Sequence, residues 1–316
     1  HPSALLLKEV TVESRLQRES VLPSSLAVEE MSRYTLLQHN SVSFAKTLSA
    51  LPGLSSMDIG AGFSKPVIRG LGFNRVAVAD KGIVQQNQQW GADHGLEIDQ
   101  YDVDNVRVHK GPMSLFFGSD AMGGVIEILP PTVPADDGIW GDALLTYKSN
   151  NDLYGTSVVV NRKKGAWFLR GRATLQSYAD YRLPADRVTY LTWQLPLHDR
   201  RMKNTAGREQ NLSLSANYDN GRISSWLHAS NIAAKNGFFP GAHGVPSLSR
   251  LEPDGDVRNM EMPFSTSNHF KLISNNEISL SRATMQVDLG YQRNHREERS
   301  PFHTHYGTQQ SPTVDP

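Results

Sequence analysis

The sequence predicts a chain in two parts: an α+β domain built on a mixed sheet, followed by antiparallel transmembrane β-barrel strands that form an incomplete barrel. Three observations carry this reading. Residues 1 to about 130 mix short apolar runs with helix signals. From about residue 138 onward, long segments alternate apolar and polar side chains. Their connections alternate between short turns and two long stretches, at about 180–207 and 233–266, as in a barrel with tight turns at one rim and long loops at the other.

Composition bounds the function before any motif is read. The 316 residues contain 32 Lys and Arg against 32 Asp and Glu, so no net field recruits nucleic acid, and none is expected as a partner. Cysteine is absent, which removes disulfide frameworks and thiolate chemistry. No stretch approaches 18 consecutive apolar residues, which excludes a membrane-spanning helix and leaves a transmembrane barrel open.

In chain order, residues 1–14 form an N-terminal segment, with an extended run starting at Val10 to Val12, and residues 15–131 form the first domain. Ser41 to Leu51 places Phe44, Leu48 and Leu51 at helical spacing and ends at Pro52-Gly53, which predicts a short amphipathic helix. Val67–Ile68, Arg75–Ala79, Val103–Val108 and Val125–Leu129 read as strands, and glycines such as Gly70, Gly118 and Gly124 punctuate them. Pro130, Pro131 and Pro134, followed by Asp136-Asp137-Gly138, stop helix and ladder alike and mark the boundary.

Residues 138–316 read as seven strands, at roughly 140–149, 152–162, 165–178, 208–219, 221–232, 267–281 and 282–296. Trp167, Leu169, Gly171, Ala173 and Leu175 share one face, with Phe168, Arg170, Arg172, Thr174 and Gln176 on the other. A soluble antiparallel sandwich gives the same period. The Arg, Asn and Gln of the polar face suit a hydrated lumen, and Tyr147, Tyr154, Trp167 and Tyr178 near strand ends suit interfacial girdles.

Ile68-Arg69-Gly70-Leu71-Gly72-Phe73-Asn74-Arg75-Val76, the turn Asp80-Lys81-Gly82, and above all Val106-Arg107-Val108-His109-Lys110-Gly111-Pro112 running on through Phe117-Gly118-Ser119 to Ile128, resemble the plug signature of TonB-dependent outer-membrane receptors. Leu48-Ser49-Ala50-Leu51-Pro52-Gly53 is similar to the helix end that precedes it, and the likeness covers about residues 8–130. It implies a plug inside a barrel in the outer membrane of a Gram-negative bacterium, with outer-membrane lipid around it and the periplasmic TonB protein as partner. Leu7-Lys8-Glu9-Val10-Thr11-Val12 resembles the box through which such receptors contact TonB by strand addition, so Glu9, Val10, Thr11 and Val12 are the expected contacts. Family plugs are held by buried basic side chains paired with barrel carboxylates. Arg69 stands at one such position, and Lys110 replaces the usual arginine at the other, keeping the charge without the bidentate fork.

The loop Gln85 to Gly95 corresponds in the resemblance to an outward-facing apex, which makes Gln88, Gln89, Trp90, Asp93 and His94 candidate ligand contacts. His94, His243, His303 and His305 are candidate ligands for zinc or copper as cargo, and no resident cofactor is expected. Phosphate loops, thiol nucleophiles and a Gly-Xaa-Ser-Xaa-Gly elbow are all missing from the sequence, so transport is expected in place of an enzyme. The expected function is energised uptake of a scarce ligand: a metal, metal chelate, haem, cobalamin or glycan. A passive porin or adhesion barrel and a soluble β-sandwich binding module are the alternatives. Seven strands are too few to enclose a plug of this size, so further strands are expected to complete the barrel.

Overall fold

A computed structural model describes residues 27–60, 62–86, 95–111, 114–190, 193–240 and 251–300. The N-terminal domain contains β1 (Ala27–Ser32), α1 (Arg33–Gln38), α2 (Phe44–Leu48), β2 (Leu54–Gly60), β3 (Phe63–Ile68), β4 (Val76–Asp80), β5 (Ile83–Val84), β6 (Asn105–Lys110), α3 (Ser114–Phe117) and β7 (Gly124–Ile128). Its main sheet has the order β1-β6-β7-β4-β5. It is mixed, because β4 and β7 run parallel while the other pairs are antiparallel.

Every residue of β4 and of β7 is buried, which explains the small and β-branched side chains of Val76–Ala79 and Gly124–Ile126. One face packs Val76, Val78, Val106, Val108, Ile126 and Ile128 against α1, α2 and β3 through Leu36, Leu48 and Ile68. The other face, with Ala77, Ala79 and Val125, packs on Ala121 and Phe117. At Gly124 a Cβ would sit 2.3 Å from the His109 carbonyl oxygen, so only glycine lets β7 approach β6 there.

The predicted helix over 41–51 is shorter than its apolar spacing suggests. Ser43 caps it by accepting the Lys46 amide, and from Ser49 onward the amides bond three residues back, a 3-10 tightening that carries Leu51 to the Pro52 turn. Asp80-Lys81-Gly82 closes β4 on β5 as a two-residue hairpin turn with φ of +49° at Lys81 and +84° at Gly82.

The second part is a seven-stranded antiparallel sheet. Its strands are β8 (Gly138–Lys148), β9 (Leu153–Lys164), β10 (Trp167–Tyr178), β13 (Gly207–Asp219), β14 (Ile223–Gly237), β15 (Phe264–Ser279) and β16 (Thr284–Arg299); a separate hairpin, β11 (Arg187–Tyr190) and β12 (Trp193–Pro196), rises from the long connection between β10 and β13. Neighbours in the sheet are neighbours in sequence apart from that hairpin, and among the described residues β8 and β16 each pair on one side only. The sheet is therefore open. Turns at 165–166, 220–222 and 280–283 lie at one end of the strands and the long connections at the other.

The faces of this sheet are reversed relative to a water-soluble protein. On β10, Trp167, Leu169, Ala173 and Leu175 are exposed, whereas Phe168, Arg170, Arg172, Thr174 and Gln176 are buried. Leu145 is 83% and Leu289 62% exposed, while the Arg172 side chain is 1% exposed. A water-soluble sandwich buries its apolar face, so this arrangement rejects that alternative and suits strands whose outer face meets hydrocarbon. Tyr147 and Tyr154 pair on the outside near the long-connection end, with ring centroids 5.1 Å apart. Trp167 and Tyr218 pair at the short-turn end at 4.9 Å, so aromatics flank the apolar band on both sides. Tyr178 departs from the girdle expected of it: its even position in β10 turns it inward, where its hydroxyl bonds to Asn236.

Candidate functional site

The polar inner face of the sheet is covered by the N-terminal domain, and charged side chains meet across the contact in three clusters. The first lies toward the short-turn end. A 3-10 turn at Gln100–Asp102 and the lead into β6 present Asp99, Asp102 and Asp104. Arg170 of β10 reaches both oxygens of Asp104 and, at 3.3 Å, Asp102. Arg172 donates to Ser157 at 2.8 Å and lies 3.6 Å from Asp102. Arg33, at the start of α1, donates to Asp142 of β8 at 2.8 Å and to Asp104 at 3.4 Å. The result is a chain of alternating charges, Asp142-Arg33-Asp104-Arg170-Asp102-Arg172, bordering a cavity of about 350 Å³. Beside it, burial and the neighbouring Asp102 push the Asp99 carboxyl up to about 6.

At the second cluster the hairpin turn carries Asp80 onto Lys271 of β15, while Lys81 donates to the other Asp80 oxygen at 2.8 Å. Burial alone would raise the Asp80 carboxyl, but the two ammonium groups overcome it and hold the group well below the usual carboxylate range. Asn275 seals the turn by donating to the Lys81 carbonyl at 2.9 Å.

Glu97 is the third centre. It accepts from His269 Nδ1 at 3.2 Å, from Asn294 Nδ2 at 2.9 Å and from Arg296. Burial opposes its ionisation, yet the His269 hydrogen bond and the Arg296 charge leave its carboxyl lowered.

Arg33 on Asp142 sets a basic domain side chain against a sheet carboxylate, the sense expected of Arg69 and Lys110, whereas the remaining pairs run the opposite way. In those the domain supplies the acids Asp80, Glu97, Asp102 and Asp104, and the sheet supplies Arg170, Arg172, Lys271 and Arg296. Lys110 is buried inside the domain, donating to Glu29 at 3.1 Å and to the Pro52 carbonyl, so it fastens β1 and the α2 turn to β6. Arg69 sits exposed in a left-handed turn, φ +49°, and makes no ion pair among the described residues. A partner for either on further barrel strands stays a proposal.

Glu9, Val10, Thr11 and Val12, the loop residues Gln88, Gln89, Trp90, Asp93 and His94, and the histidines His243, His303 and His305 lie outside the described residues. Among the described residues, no group of three or more His, Cys, Asp or Glu is placed to hold a metal ion. Sequence reading missed Glu97, Asp80, His269 and Arg296 as a set. The usable signal was partial: inward positions of alternating strands that carry Arg, Lys or His mark the contact face, but their partners lie about 170 to 200 residues away.

Residues 20–125 match the family model described as the TonB-dependent Receptor Plug Domain. The Heme/hemopexin utilization protein C of Haemophilus influenzae is 31% identical over 134 residues, covering 41% of this chain and 16% of that protein. Its counterpart in strain 86-028NP is 29% identical over the same length. The chain thus spans only about a sixth of those relatives. Among solved structures, the ferric yersiniabactin uptake receptor FyuA from Yersinia pestis aligns over 87% of this chain and 42% of its own, with TM-score 0.60 and 18% identity. The siderophore receptor PirA from Acinetobacter baumannii aligns over 85% and 40%, with TM-score 0.63 and 12% identity. At these identities the structures speak for the fold alone. With the plug match, the mixed sheet and the reversed strand faces together, residues 20–125 are a TonB-dependent receptor plug domain, and the strands that follow have the fold of the barrel strands in such receptors.

Proposed function

We propose that this chain serves energy-coupled import of an iron chelate across the outer membrane of a Gram-negative bacterium, with haem as the first chelate to test. The observation that carries the proposal is the acidic plug face docked on the basic inner face of an inside-out sheet. A passive porin has no use for a domain that fills its lumen, whereas a gated importer needs a stopper held by polar contacts that can be broken and remade. Haem is favoured because the relatives that match in sequence are named for haem and hemopexin utilisation. Siderophore receptors among the fold neighbours support iron chelates as the wider class.

In this reading Gln88, Gln89, Trp90, Asp93 and His94 contact cargo at the outer face, and Glu9 to Val12 pair with TonB as an added strand. An imidazole such as His94 suits iron in a chelate as well as zinc or copper. The test uses the full-length receptor, purified in detergent and titrated with haemin, beside a variant with Trp90, Asp93 and His94 all changed to Ala. Saturable haemin binding that weakens in the variant supports the assignment. Unchanged affinity makes the loop structural, and no binding by the wild type sends the search to other chelates.

A further inference from the structure

Plug residues 83–86 and 95–97 form two stems that bracket residues 87–94; both are fastened to β16, and the second is held by β15 as well. The fastening follows the inward row of β16 in order, at steps of two residues or about 6.6 Å. Ile83 packs on Gly290, where a Cβ would lie 2.6 Å from Ile83 Cγ2. One step on, Gln292 accepts the Gln86 amide at 3.1 Å and donates to the Val84 carbonyl at 2.9 Å, which occupies both ends of its amide. Asn294 and Arg296 then hold Glu97, joined by His269 from β15. Gln85 ties the stems together by donating to the Glu97 carbonyl at 3.3 Å.

Glu97 is placed for this by a tight local turn. Leu96 and Ile98 pack on the plug's own core, and the Ile98 amide bonds back to the Leu96 carbonyl at 2.9 Å, a γ-turn whose central side chain, Glu97, meets the barrel. The second stem is seated as closely as the first: a Cβ on Gly95 would lie 2.4 Å from the Gly62 carbonyl oxygen.

We propose that Glu97, His269 and the row Gly290, Gln292, Asn294 and Arg296 form one clamp that sets the rest position of both stems. These barrel side chains are then positioning residues for cargo capture, acting through the stems and not by contact with cargo. The capture part rests on the assignment of residues 87–94 to cargo, whereas the clamp itself does not.

The test reads the two apart. Amide hydrogen exchange is measured on the cargo-free full-length receptor for Glu97→Gln, Arg296→Met, the double variant and Gly290→Val. Exchange at 83–86 and 95–97 should rise about tenfold or more in each, with β6 and β7 unchanged and the double variant no looser than the single ones, since the members act as a unit. Unchanged stems, additive effects, or loosening across the whole plug would overturn the clamp. Gly290→Val keeps the test open if a charge variant does not fold, because it lifts Ile83 without touching a charge. Haemin is the probe for capture: Glu97→Gln should weaken its affinity about tenfold at unchanged saturation. Loosened stems with wild-type haemin affinity would overturn the positioning role. The exchange pattern in a receptor that binds no haemin at all supports the clamp and sinks the haem reading alone.

Discussion

Replacing Lys271 by Met removes one of the two ammonium groups that keep Asp80 ionised beneath the plug. Both residues are buried, Asp80 at 5% and Lys271 at 3% exposure, so water cannot replace the lost partner. Removing one member of a buried pair costs roughly 3–5 kcal/mol, because the other charge stays behind uncompensated. Lys81 still donates to Asp80 at 2.8 Å, which puts the expected loss at the lower end. About 3 kcal/mol corresponds to roughly a 150-fold shift in the local opening equilibrium. The assay is hydrogen exchange at Val78 and Ile126, on the paired strands β4 and β7 behind the turn, in the full-length receptor at neutral pH. The sign with pH is fixed by the lowered Asp80 carboxyl. Its stabilisation is complete above the unfolded value of about 4 and fades only as pH falls below it. The gap between variant and wild type should therefore narrow in acid, where Asp80 in the variant takes up a proton first. Pairing this change with Asp80→Asn should recover much of the loss. Protection that stays within about twofold of wild type would refute the reasoning.

Two other outcomes follow from the same geometry. Leu212→Arg puts a charge on the outer face at a 54% exposed position midway along β13, and near the bilayer midplane that costs about 2–4 kcal/mol. The folded fraction of full-length receptor assembled into liposomes should fall, while the same change in a water-soluble sheet would leave folding intact. Asp99→Asn removes a carboxyl whose value is pushed up to about 6. A raised acid favours the folded state below its unfolded value near 4 and loses that contribution as pH rises through 6. The two-unit shift is worth about 3 kcal/mol, so plug protection in wild type should fall between pH 4 and 7 by more than in the variant. Equal pH profiles for the two proteins would count against the burial of Asp99.

What the sequence made legible is the part governed by short periods. All seven barrel strands show in the two-residue alternation, and their ends shift by up to about five residues where the pattern fades. The strand predicted to end near 232 runs on to Gly237 because Ala233 and Ala234 carry too little contrast between faces to extend the alternation. Within the plug, β1 escaped notice: Glu29 and Glu30 interrupt its apolar run, and its pairing with β6 supplies the stability that local propensity does not. β2 is mostly Ser, Asp and Gly and exists by pairing with β3. The hairpin β11 and β12 lies in a connection that the sequence showed only as long. The contact site was half visible, since Arg170 and Arg172 declare an inner polar face. Their partners are set by how the sheet curves around the plug, and no local spacing records that Glu97 meets His269 and Arg296. Most of the charge pairs set a plug acid on a barrel base, which no local spacing records either, while Arg33 on Asp142 runs the other way.

Energy coupling is the claim on which the functional account stands, and Val10→Pro in the full-length receptor addresses it most directly. Proline removes a backbone donor from the segment assigned to strand addition with TonB. Cells carrying the variant are compared with wild type for haemin bound at the surface and for haemin internalised. The account predicts wild-type surface binding with uptake reduced to the level of a strain lacking TonB. Uptake at the wild-type rate would contradict it.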